Sequence, residues 1–315
     1  MVIFKKLIAF FTFLTLLISG SVTFGVNPST TKDTGDTILF FSDYQGGERE
    51  TVLPAILEKV PEEPGLVVCG GDYQTLMGIA MVSSFGIYSI KETVQQRWNN
   101  SSIPFIFVQG NHDFGFAKGL SKKGLYEFDE YYIYNIPMNN FPWSQGLVPT
   151  TKKTVQKTAE ELDGVLAGLV KNEDKKPVFI VTHVPLHATD RKSGKDNCYA
   201  VYLFDVINKY GKDLDIVFMF GHNHSGDYDD YIGGSVVLLQ KGEKLSVAGK
   251  DAEETLSFTY SDFGYVGYSK NTLSDTSTNV LTASLVTIDD DSIDLQRYSA
   301  DGAYYDAPIE IALDH

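Results

Sequence analysis

At 315 residues the chain can form one large α/β domain or two small ones and bury a substantial core. Its 26 basic and 41 acidic residues leave a net charge of −15, a balance that repels phosphate backbones and argues against a dedicated nucleic-acid binder. Two cysteines, Cys69 and Cys198, are too few for a disulfide framework.

The chain opens with Lys5-Lys6, an apolar run from Leu7 to Ile18 and then Ser19-Gly20-Ser21. That succession predicts an export signal over residues 1–25 and hence a secreted or extracytoplasmic protein. The alternative is a short signal anchor, although the apolar run falls below the ~20 residues of a spanning helix. Cleavage would remove both lysines, take the net charge to −17 and leave no stable membrane span. Residues 26–36 read as a polar linker, 37–300 as the folded domain and 301–315 as a C-terminal tail.

Within the domain, short apolar runs alternate with helical patterns. Ile38 to Phe41 precedes Asp43-Tyr44-Gln45-Gly46, and a helix is predicted over Thr51–Val60. Leu66 to Cys69 precedes Gly70-Gly71-Asp72, with a helix over 75–98. Phe105 to Val108 precedes Gly110-Asn111-His112-Asp113, and an aromatic-rich insertion follows over 114–150. The clearest helix, Lys152–Val170, places Val155, Ala159, Leu162, Leu166 and Leu169 on one stripe. Val178 to Val181 then precedes Thr182-His183, and a helix over Tyr199–Tyr210 leads to Leu214–Phe220 and Gly221-His222-Asn223-His224. Beyond these, short runs at 235–239, 256–260, 264–268, 279–288 and 292–298 predict antiparallel strands.

Five times, Asp, Asn or His stands just past a short apolar run. Buried parallel strands look like this where they deliver side chains to one edge of a sheet. Five of the six histidines lie in or beside these strings, which marks a metal site.

In order, Asp43-x-Gln45, Gly71-Asp72, Gly110-Asn111-His112-Asp113, His183 and Gly221-His222-x-His224 resemble the motifs of the calcineurin-like metallophosphoesterase superfamily. One position departs from them: Gln45 stands where that family places a histidine. The resemblance implies a four-layer αββα sandwich of two mixed β-sheets flanked by helices. It also implies two divalent metal ions and hydrolysis of a phosphomonoester or phosphodiester by a metal-bridged hydroxide. By the same resemblance Asp72 is the shared ligand, with Asp43, Gln45 and His224 on one metal and Asn111, His183 and His222 on the other. His112 is implied to assist the leaving group, with Asp113 bonding its imidazole. Mixed imidazole, carboxylate and amide ligation suits Mn, Fe or Zn, and a Gln45 oxygen in place of imidazole shifts preference toward a harder ion. A small phosphorylated substrate is the implied partner. The rival reading is an extracellular binding module that keeps the fold with a degenerate, non-catalytic site.

Other residues admit two readings each. His187 could reach the site or be a loop residue. Arg191, Lys192 and Lys195 could bind phosphate or simply be solvated. Tyr44 and Tyr73 adjoin ligands and could line a cleft, while the insertion's aromatics could roof it or belong to the core. Cys69 reads as a small buried apolar residue.

Overall fold

The computed structural model describes residues 35–44, 51–73, 83–113, 121–137, 151–187, 199–222, 238–267 and 281–314. The expected leader, Gln45, the basic cluster, Cys198 and His224 lie outside the described residues.

The first third is β-α-β-α-β: β1 (Thr37–Phe41), α1 (Leu53–Leu57), β2 (Leu66–Cys69), α2 (Ser83–Trp98) and β3 (Phe105–Phe107). A hairpin follows, β4 (Gly124–Glu127) and β5 (Tyr132–Ile136), then α3 (Lys152–Lys171), β6 (Val178–Thr182), α4 (Ala200–Tyr210) and β7 (Ile216–Phe220). The last third holds β8 (Leu238–Leu239), β9 (Lys244–Leu245), β10 (Glu254–Thr255), β11 (Thr259–Asp262), β12 (Ala283–Ile288), β13 (Ser292–Ser299), β14 (Gly302–Ala303) and β15 (Ile309–Ala312).

Two large mixed sheets result. One runs β14-β13-β12-β1-β2-β3, with β15 also on β13; the other runs β4-β5-β6-β7-β11-β8. Strands β1, β2 and β3 are mutually parallel, as are β5, β6, β7 and β11. All their loops of interest therefore leave from one end.

Three apolar layers explain the unbroken hydrophobic runs. Ile38, Phe40, Val68 and Ile106 of the first sheet meet Phe179, Val181, Val217 and Met219 of the second. On the first sheet's other face, Leu39, Phe41, Val67 and Phe107 pack with Ile56, Ile90 and Val94 of α1 and α2. Behind the second sheet, Ile180, Phe218 and Phe220 pack with Leu162, Leu166, Leu203 and Phe204 of α3 and α4. A strand buried on both faces has no polar alternation to show. The four-layer αββα order expected from the resemblance is the one observed. Helix α3 buries the predicted stripe, and the Thr151 side chain caps it by accepting from Thr154 N at 3.2 Å.

Four expectations need correction. Segment 114–150 is not merely inserted: its described part supplies β4 and β5, and Tyr126, Tyr131, Tyr132 and Tyr134 are buried core. Strand β11, expected to be antiparallel like its neighbours in sequence, is parallel to β7. Over 264–268 the described residues form no strand, only a Ser42–Tyr265 bridge. Residues 301–315 are no tail, because β14 and β15 pair with β13. Among the described residues, no helix is long and apolar enough to cross a membrane.

Candidate metal centre

The site begins with how three strands end. Asp43 follows β1, Asp72 follows β2 and His222 follows β7, and their φ angles are 53°, 58° and 67°. A non-glycine residue in the left-handed region costs about 1 kcal/mol or more, and such strain concentrates at functional sites. Here it turns the backbone sharply, so that five side chains from both sheets converge.

His183 Nε2 lies 2.9 Å from Asn111 Oδ1, 3.4 Å from Asp72 Oδ2 and 4.0 Å from Asp43 Oδ1. His222 Nδ1 lies 3.1 Å from the same Asn111 oxygen. Candidate ligand atoms of Asp72, His183 and His222 all fall within 4.8 Å of one another, and all three residues are buried. Glycine permits this approach. A Cβ on Gly71 would sit 2.7 Å from His183 Nδ1, and one on Gly110 would collide with the Asp72 carboxylate and backbone.

Each carboxylate is pinned by one oxygen and presents the other. Asp43 Oδ2 accepts from Ser42 Oγ at 2.5 Å and from His222 N at 2.9 Å, leaving Oδ1 toward His183. Asp72 Oδ1 accepts from His112 N at 2.9 Å. Asp72 Oδ2 is buried and accepts no hydrogen bond among the described residues, with His183 Nε2 at 3.4 Å and His112 Nε2 at 4.0 Å. A buried anionic oxygen left in that state is costly and fits a cation.

The electrostatics agree. Burial pushes the Asp72 carboxyl up, but the His183 and His112 charges outweigh it and hold the group well below the usual carboxylate range. Burial pushes His183 down, whereas the Asp72 and Asp43 carboxylates raise it, with a net rise to about 9. The imidazole therefore carries a proton where a metal ion would supply the positive charge. Its Nδ1 is 2.7 Å from Gly70 O, which orients the ring so that Nε2 faces the site.

Five of the seven expected ligands, Asp43, Asp72, Asn111, His183 and His222, are thus brought together; Gln45 and His224 fall outside the described residues. His112 sits at the rim with its side chain 38% exposed. Asp113 does not hold its imidazole. Its oxygens accept from the amides of Gly110 (2.8 Å), Asp72 (2.8 Å) and Tyr73 (3.0 Å), tying the β3 loop to the β2 loop. Burial, then the charge of Asp72, raises the Asp113 carboxyl to about 6 despite those amides. Tyr44 and Tyr73 both pack in the layer between the first sheet and its helices, and Tyr73 Oη contacts the Cys69 and Val108 carbonyls at 2.6 Å. His187 is buried against Phe220 and Tyr260, with Nδ1 2.8 Å from Tyr260 Oη. Sequence reasoning passed over Ser42 and the Gly70 carbonyl, since a serine before an aspartate and a backbone oxygen carry no distinguishing pattern.

A family model described as calcineurin-like phosphoesterase matches residues 36–226. The chain belongs to that family. Among solved structures, it is similar to a dimetal phosphatase from Danio rerio, with 11% identity, a TM-score of 0.51 and coverage of 88% of this chain and 99% of that one. It is also similar to GAP50, the anchor in the inner membrane complex of Plasmodium, with 12% identity, a TM-score of 0.54 and 89% of each chain covered. At such identities the likeness concerns the fold alone. No curated protein matches the chain by sequence.

Proposed function

We propose that this calcineurin-like phosphoesterase is an exported hydrolase of phosphomonoesters or phosphodiesters that works through a dinuclear metal centre. The observation that supports the reading is Asp72 Oδ2, a buried carboxylate oxygen with no hydrogen bond among the described residues, close to the His183 and His112 imidazoles, where it could serve two ions. Two divalent ions of the Mn, Fe or Zn kind, when bound, acidify a water and neutralise charge on phosphoryl oxygens. Asn111, His183 and His222 would hold one ion; Asp43, with Gln45 and His224, would hold the other. The pinning of Asp43 by Ser42 and His222 N fixes which oxygen is offered.

His112 supplies the remaining chemistry. Its backbone is anchored by Asp72 Oδ1 and its ring is half-exposed at the rim, so it faces an incoming ester while its loop stays fixed. From there it protonates the departing oxygen or stabilises its charge. The acidic chain repels anions elsewhere, so a small phosphorylated substrate is drawn in by the ions themselves. Export rests on the Lys5-Lys6, Leu7–Ile18 pattern.

Hydrolysis of an aryl phosphate tests the reading. Exhaustive chelation abolishes turnover and added Mn restores it. Undiminished turnover after verified metal loss refutes the mechanism. Tight metal binding without any turnover supports the rival binding module, which the Gln45 departure favours.

A further inference from the structure

The proposed metal centre draws Asp43, Asp72 and Asn111 from loops of the first sheet but His183 and His222 from loops of the second. Its geometry therefore depends on the register between two sheets whose shared layer is apolar, and apolar contacts are non-directional. At the site's end of the sandwich directional contacts cross between the sheets, among them His222 N to Asp43 Oδ2 and His183 Nδ1 to Gly70 O within the site, and a buried ion pair away from the ligands. Arg297 on β13 is fully buried and shares strand parity with Ile293 and Leu295, which face the layer between the sheets. Its Nη1 donates to Asp262 Oδ1, and its Nη2 donates to Ser261 Oγ and Asp262 O at 3.0 Å each. Both acceptor residues belong to β11 of the second sheet.

The contacts continue to a ligand. Asp262 Oδ1 also accepts from Gly264 N at 3.0 Å. Gly264 O accepts from Ser42 N at 3.0 Å and lies 3.1 Å from Ser42 Oγ, while Val266 N donates to Ser42 O at 3.2 Å. Ser42 Oγ in turn is 2.5 Å from Asp43 Oδ2. The hydrogen bonds thus pass from the second sheet to the first at Ser42.

We propose that Arg297 is a positioning residue for the metal centre, acting on Asp43 through Asp262, Gly264 and Ser42 and holding the two half-sites in register. The inference rests on the metal-centre reading above. A buried ion pair is often neutral or unfavourable for stability relative to apolar residues of similar volume, and its better-attested use is to specify geometry. A guanidinium spans two acceptors with one planar group, as an ammonium cannot.

The test separates stability from positioning. The double variant Arg297→Met/Asp262→Asn removes the pair without stranding a charge and keeps an oxygen for Gly264 N. Metal-free melting is measured beside Mn(II) titration, with electron paramagnetic resonance reporting coupling between two bound ions. The expected result is melting at or above wild type, Mn binding weakened about 10-fold, the low end of the loss on removing a direct partner of a metal ligand, and diminished coupling. Arg297→Lys should weaken binding less. Affinity equal to wild type, or a loss of affinity that merely tracks a loss of stability, overturns the proposal. Should the double variant not fold, Ser42→Ala carries the same expectation, and unchanged affinity there overturns it too. A wild-type protein that takes up no Mn refutes the metal-centre reading itself, which is a separate failure.

Discussion

Asp72 and Asp113 are buried carboxylates in the loops that leave the neighbouring parallel strands β2 and β3, and they end in opposite states. Asp113 spends its oxygens on the amides of Gly110, Asp72 and Tyr73, and burial beside Asp72 raises it to about 6. Asp72 gives one oxygen to His112 N, keeps the other without a hydrogen bond among the described residues, and is held low by His183 and His112 against the cost of burial. Burial alone does not make a carboxylate a ligand. What distinguishes the two is an oxygen the protein leaves for something else, and Asp113 supplies the scaffold that makes leaving it tolerable.

The comparison breaks most visibly at Asp72. Asp72→Asn should lose both ions and bring turnover to background, read by metal analysis and an aryl phosphate assay; two ions still held tightly would mean the oxygen is not shared. Asp113→Ala should act on folding instead. Stranding three buried amide donors costs about 3 kcal/mol, seen as a lower denaturation midpoint, while the surviving folded protein still binds metal. If stability held and only turnover fell, Asp113 would be serving His112 after all.

Next in size is His112→Ala, expected to cut turnover ~10²-fold with metal content near wild type, and less for aryl than for alkyl esters. Equal losses on both would argue against proton donation. The smallest effect is pH-dependent and belongs to His183. Its folded value of about 9 exceeds the ordinary 6.5, so in metal-free protein its stabilisation is complete below 6.5 and lost as pH rises toward 9. Metal must displace that proton, so uptake should tighten with rising pH across the same window. Mn titrations that give one affinity at pH 7 and pH 9 would contradict it.

Much of this was readable from the chain because parallel strands buried on both faces leave unbroken apolar runs, and the glycines after three of them, at Gly70-Gly71, Gly110 and Gly221, mark where loops crowd together. Gly71 and Gly110 show the cause, since a side chain on either would meet the His183 ring or Asp72. Less readable was anything set by distant pairing. Strand β11 takes its direction from β7, and β14 and β15 gain their strand character only on β13. Which oxygen of Asp113 meets which amide is a property of two loops meeting, so motif order placed the residue correctly while misassigning its partner. Arg297 carried no local signal, because its acceptors lie on another sheet.

Anomalous diffraction from Mn-loaded crystals tests the shared-oxygen claim most directly. The account predicts two peaks, both coordinated by Asp72 Oδ2, one beside Asn111, His183 and His222 and the other beside Asp43. A single peak, or a pair in which one ion does not touch Asp72, would contradict it.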